Sequence, residues 1–202
     1  MKSKIKAFNI ALAAALVFSI LLSMVSFDAC CDDLRENVFR LHIIANSDGE
    51  EDQNIKLAVR DAILRESGDL FLAADDLDSA VLLSQSNIGV LEKIANDTLA
   101  EYGCDYGASV SVADSYFNTR VYDEYTLPAG VYTALKVELG KAEGKNWWCV
   151  LFPSICVGAC MGIDETASSG GEEIATFGDK YVVKFKIVEV YEHIKAKILG
   201  RI

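Results

Sequence analysis

The chain has 202 residues, 51% of them hydrophobic, and a formal charge of −11. That is long enough for one well-filled core and too apolar for a disordered chain. Leaving out Lys2, Lys4, Lys6 and Asp28 near the N-terminus, the remainder carries −13, which repels phosphates and argues against nucleic-acid binding while leaving catalysis open.

Taken in order, Lys2, Lys4 and Lys6 precede an apolar run from Ala7 to Val25 broken only by Asn9, Ser19 and Ser23. A basic start followed by such a run is the format of a secretory signal. The run is long for a cleaved signal and close to the ~20 residues of a spanning helix. Residues 1–29 are therefore expected to be a signal peptide or membrane anchor, with residues 30–202 a single exported domain. Phe27-Asp28-Ala29-Cys30 lacks the aliphatic and small lead-in of a lipidation site.

Leu34–Arg40 is amphipathic and leads into the β-rich run Leu41–Ala45. Asn46–Gly49 reads as a turn, and Ser47 with Glu50 has the spacing of a capping box that opens a helix. Ile55, Val59, Ala62 and Ile63 recur at helical spacing, with Gln53, Lys56 and Arg60 on a polar face and Gly68 at the end. Further helices are predicted from about Asp76 to Gln85 and from Ile88 to Glu101, the latter capped by Gly103.

Strand signals follow. Ala108–Ala113 alternates strictly, Thr119–Tyr122 reads as a short edge piece, and Val131–Leu139 follows the turn at Leu127–Gly130. Trp147–Phe152 is an apolar run stopped by Pro153, and Gly140–Gly144 is expected to join it to the preceding strand as a hairpin. Adjacent strand residues point to opposite faces, so only one of Trp147 and Trp148 enters a one-sided core. Gly158–Gly178 is polar and glycine-rich, an exposed loop. Tyr181–Phe185 is ambiguous, and Ile187, Val190, Tyr191, Ile194 and Ile198 give an amphipathic C-terminal helix. The expected fold is α+β: an antiparallel sheet of about four strands with helices packed on one face.

Export would place Cys30, Cys31, Cys104, Cys149, Cys156 and Cys160 where disulfides are permitted. Cys149 with Cys156 is the local candidate, a loop worth about 2–3 kcal/mol. Two buried thiols acting as small hydrophobes are the alternative. A zinc site built from Cys104, Cys149, Cys156 and Cys160 would lack any Cys-x-x-Cys pair, and no metal or cofactor is expected. Among enzyme signatures there is no Gly-x-Ser-x-Gly, His-Glu-x-x-His or phosphate loop. The residual enzymatic reading is a hydrolase acting outside the cytoplasm, with His42 as base and Cys149 as nucleophile.

Four ordered blocks carry a family resemblance. They are Arg40–Asp48, Glu51–Gln53 with Lys56–Ala62, Tyr125–Tyr132 and Asn146–Pro153. Together they resemble the stage II sporulation protein R family from about residue 35 to 156, and more weakly to the C-terminal helix. The chain departs from that family at Ser154, where a second proline is common, and Cys104, Cys160 and the Cys30-Cys31 pair look particular to it. The resemblance implies a protein of an endospore-forming bacterium, made in the forespore and exported into the space between forespore and mother cell. There it would activate a membrane-embedded aspartic protease of the mother cell, which processes a sigma-factor precursor. A binding trigger needs an exposed surface that prefers the active form of its target. The candidate partner-binding residues are Arg40, His42, Asn46, Asp48 and Arg60, with Asn146, Trp147, Trp148 and Pro153. For Arg40, His42, Asn46 and Asp48 the plain structural alternative is a strand-end salt bridge and helix-capping groups.

Overall fold

The computed structural model describes residues 2–122, 126–153 and 182–200. Its elements are α1 (Lys2–Glu36), β1 (Phe39–Ile44), α2 (Glu50–Glu66), α3 (Gly68–Leu72), α4 (Leu77–Ser86) and α5 (Ile88–Glu101). They continue with β2 (Ala108–Phe117), β3 (Arg120–Val121), β4 (Thr126–Leu127), β5 (Gly130–Leu139), β6 (Asn146–Phe152) and α6 (Val182–Ile198).

The fold is α+β, but its four-stranded sheet is mixed. The strand order is β2-β5-β1-β6, with β1 parallel to β5 and antiparallel to β6. The expected hairpin between β5 and β6 does not form, because β1 lies between them. Gly140–Gly144 instead crosses the end of β1, where Gly144 N–H donates to Ala45 O at 2.9 Å and Glu143 N–H to Asn46 O at 3.3 Å. A central strand buried on both faces reads as a near-continuous apolar run, and Leu41-His42-Ile43-Ile44 has that character.

One face of the sheet carries the main core. Phe39, Leu41 and Ile43 of β1 meet Leu135, Val137 and Leu139 of β5 and Leu151 of β6. Over them lie Ile55, Val59 and Ile63 of α2 and Leu91, Ile94, Ala95 and Leu99 of α5. These residues recur every three or four positions, which is why the two helices each bury one stripe. Gly103, in the left-handed region at φ 71°, closes α5 as predicted, and Cys104 N–H reaches back to Leu99 O at 3.0 Å.

Helix starts differ from expectation. The N-cap of α2 is Gly49, without a side-chain cap, and Ser47 does not close a box with Glu50. Its hydroxyl accepts from Gly49 N–H at 3.1 Å and donates to Asp52 Oδ2 at 2.5 Å. Asp52 gathers further donors from Asn46 Nδ2 at 2.9 Å and the Tyr106 hydroxyl at 2.6 Å. The hydrogen bond from Ser47 and then that from Tyr106 hold the Asp52 carboxyl below its usual range. The capping box forms at α4 instead, between Asp76 and Ser79. Gly68 does not simply end α2; it opens the short α3.

The ends of the chain meet each other. Arg35 in the last turn of α1 donates to Ala129 O at 3.0 Å and faces Glu192 of α6 at 3.8 Å. Among the described side chains of α6 the buried positions are Val188, Glu192 and Ala196, while Val190, Tyr191, Ile194 and Ile198 face outward. The helix predicted here exists, but its apolar stripe is not the face that packs. In the first half of α1 the apolar side chains Phe8, Leu12, Leu16 and Phe18 are also exposed. Among the described residues no helix is long and apolar enough to cross a membrane; side chains 23–28, at the end of the apolar run, lie outside them. The expected 158–178 loop falls there too.

Candidate functional site

The second face of the sheet is built by alternation. Arg40, His42 and Ile44 of β1 point away from the main core, and the register sets Arg40 beside Ala134 and Val150, and His42 beside Lys136 and Trp148. Ile44 lies beside Glu138 and Asn146. A smaller cluster of Val38, Phe117, Leu127, Tyr132, Ala134 and Val150 fills one end of this face. Towards the other end, Ser109, Ser111, Lys136, Glu138 and Asn146 are partly or fully exposed.

Arg40 is fully buried at the junction between the two ends. Its guanidinium carbon lies 4.0 Å from the centre of the Phe117 ring and 4.9 Å from that of Tyr132, within cation–π range. Nη2 donates to the Tyr122 hydroxyl at 2.8 Å, and Nε makes a long contact of 3.5 Å to Cys149 O. Nη1 is buried with no protein acceptor. The salt bridge expected for Arg40 is absent: among the described residues no carboxylate pairs with it. Burial lowers its pKa, against raising contributions from Tyr122 and Tyr132, and a guanidinium stays charged all the same.

His42 is half-buried, with Nε2 2.8 Å from Asn146 Oδ1 and its ring 5.7 Å from Phe117 and 6.1 Å from Trp148. Its Nδ1 is buried with no protein partner. Burial, before any other cause, pushes its pKa below 6.5. The unfolded chain therefore binds a proton at a higher pH than the folded one. Stability should be flat above about pH 6.5 and decline as the solution is acidified below it. Thermal melts of the wild type and His42→Gln between pH 7 and 5 check this: the variant should show the shallower decline, and parallel curves would refute it.

The two tryptophans part company across the sheet. Trp147 faces the helices and packs on the main core beneath Arg60 of α2, whose guanidinium carbon is 4.4 Å from the indole centre. Trp148 lies on the second face beneath Arg120, at 4.0 Å. Both are half-buried, and neither indole N–H has a protein acceptor.

The structure thus brings four of the candidates together: Arg40, His42, Asn146 and Trp148. Trp147 and Arg60 pair on the opposite side. Asn46 is occupied structurally, donating to Asp52 and accepting from Lys141 N–H at 3.0 Å. Asp48 is exposed in the turn before α2, and Pro153 is half-buried after β6. Phe117, Tyr132, Tyr122 and Arg120 complete the site and were not singled out from the sequence. Their signal was weak, since they belong to strand-like segments whose partners are set by long-range pairing.

Cys149 points into the main core while His42 faces the other way, so the two do not form a nucleophile–base pair. Cys149 is bonded rather than a free thiol, and its expected partner Cys156 lies outside the described residues. Among the described residues no cluster of His, Cys, Asp and Glu could hold a metal ion.

Residues 35–161 match the family model described as Stage II sporulation protein R (spore_II_R). A relative named Stage II sporulation protein R, from Bacillus subtilis (strain 168), is 33% identical over 162 residues, covering 80% of this chain and 69% of the relative. No solved structure matches the chain.

Proposed function

Because the chain belongs to the stage II sporulation protein R family and so has a role in sporulation, we propose that it is an exported signalling protein that activates a membrane-embedded aspartic protease of the mother cell. The protease then processes a sigma-factor precursor. Family membership across residues 35–161 carries this reading. Residues 1–29 act as signal or anchor, and the remainder works in the space between forespore and mother cell. Activation is by binding: a rigid sheet presents a partly polar face, and preference for one state of the target shifts its population. A Cys149–Cys156 bridge, formed after export, fixes the end of β6 beside that face.

The test is co-expression of the full chain, the protease and the sigma precursor in a bacterium that does not sporulate. Processed product should appear only when all three are present, and should fall at least tenfold when residues 2–29 are deleted so that the chain stays in the cytosol. Equal processing without the chain, or with the retained form, would overturn the proposal.

A further inference from the structure

Arg40 is the largest fully buried side chain of the described protein, and it carries a charge with no opposite charge against it. A guanidinium offers five N–H donors. Two of its nitrogens find neutral oxygens, on Tyr122 and Cys149, and Nη1 finds none. Buried ions are ordinarily paired, because removing a charge from water is costly. Three neighbouring groups share the deficit on the same face. Arg120 Nε and Trp148 Nε1 are buried donors without protein acceptors, and His42 Nδ1 lacks a protein partner as well. Arg40, His42 and Trp148 ring Phe117, which lies 4.0 Å from the Arg40 guanidinium carbon, 5.7 Å from His42 and 6.3 Å from Trp148. Among the described residues, what the corner lacks is a negatively charged acceptor.

We propose that this corner of the sheet receives the carboxylate of an Asp or Glu side chain from the protein partner, seated on Arg40 with the Trp148 indole N–H beside it. The proposal rests on the signalling reading above and gives it a contact chemistry. Planar donors held between aromatic rings suit a carboxylate, which accepts two parallel N–H bonds. A protein is the fitting source because a chain of net charge −11 repels free anions, whereas a docked partner brings its carboxylate together with contacts to the neighbouring Ser111, Lys136 and Asn146 row. The corner is covered by a short ribbon, anchored by Leu127 in the second-face cluster. The β3–β4 ribbon has two residue pairs, Arg120 with Leu127 and Val121 with Thr126, and a two-stranded ribbon alone is marginally stable. Lifting it exchanges the Tyr122 hydroxyl for a charged acceptor on Nη2.

Arg40→Met and Arg40→Lys in the full chain test this. Arg40→Met removes the charge and keeps an unbranched apolar chain, so its Tm should lie within about 3 °C of wild type or above it. In the three-component assay its processed product should fall at least tenfold, with Arg40→Lys between the two. Independently of signalling, 0.5 M sodium acetate against sodium chloride should raise the wild-type Tm by a few degrees and leave that of Arg40→Met unmoved, as binding to the folded state requires. Normal signalling by Arg40→Met overturns the proposal. So does a Tm lowered by more than about 10 °C, which would make the guanidinium a packing element, or an acetate response that is the same in both proteins. A wild type without an acetate response, beside an Asp123→Asn, Glu124→Gln double variant that has one, would assign the carboxylate to this chain and overturn it. Failure of the wild type to support processing overturns the signalling reading, while the acetate comparison still decides whether Arg40 takes a carboxylate.

Discussion

Phe117→Ala should cost about 3–5 kcal/mol of stability and lower the melting temperature by roughly 10 °C. The ring is fully buried and is the common neighbour of the second-face cluster. It meets Tyr132 edge-on at 5.5 Å and underlies the Arg40 guanidinium at 4.0 Å. Truncation leaves a cavity beside a charged group, so the loss of dispersion contacts is joined by the loss of the cation–π contact. Equilibrium denaturation in urea measures the change, and Trp148 fluorescence should report it locally, since that indole lies 6.3 Å from the ring. Phe117→Leu, which keeps most of the volume, should cost less than half as much. A loss below about 1 kcal/mol for the alanine variant would mean that this end of the sheet is not a packed core.

Gly144→Ala should be nearly as damaging, at about 3 kcal/mol, although it adds only a methyl group. A Cβ there would stand 2.2 Å from Ser47 O, 2.5 Å from Ser47 C and 2.9 Å from Ala45 Cβ. Two of those three atoms are backbone, so no rotamer change relieves the clash; the crossing segment or the end of β1 must move. Gly89→Ala in α5 is the matched control. Its added methyl meets nothing within 4 Å, so the substitution should be neutral or stabilising by about 0.5 kcal/mol. Thermal melts of both variants decide the matter, and equal behaviour at the two positions would contradict the close crossing.

The contrast between these glycines also shows where the sequence was readable and where it was not. Helices α2, α4 and α5 were legible because their buried residues repeat with helical spacing, and β2, β5 and β6 because of alternation or apolar runs bounded by turn residues. The order of strands was not. A short glycine-flanked link between β5 and β6 has the length of a hairpin loop, and nothing local says that a strand from far upstream must be inserted. Gly144 is required by that insertion, through its approach to Ser47, and so has no local signature. Ser47 misled for a related reason. Its spacing from Glu50 is that of a capping box, but Asp52, with donors arriving from Asn46 and Tyr106, competes for the hydroxyl.

The candidate site divides along the same line. Trp147 and Trp148 could be assigned to opposite faces by alternation alone. That Arg40 would be buried without a counter-charge could not, because an arginine near the start of a strand reads as a surface group. Its burial comes from Phe117, Tyr122 and Tyr132, which arrive from one segment far downstream of β1. In α6 the side facing inward carries Val188, Glu192 and Ala196, with Glu192 opposite Arg35 of α1, and not the apolar stripe.

The placement of β1 between β5 and β6 has a consequence for biogenesis. The strand synthesised first is the one that needs the last neighbours: Arg40 and Cys149 touch across 109 positions. Until β5 emerges β1 has two bare edges, and until β6 follows one of them stays bare and the sheet is incomplete. Folding with so large a sequence separation is slow, which would keep the chain threadable during the export proposed above.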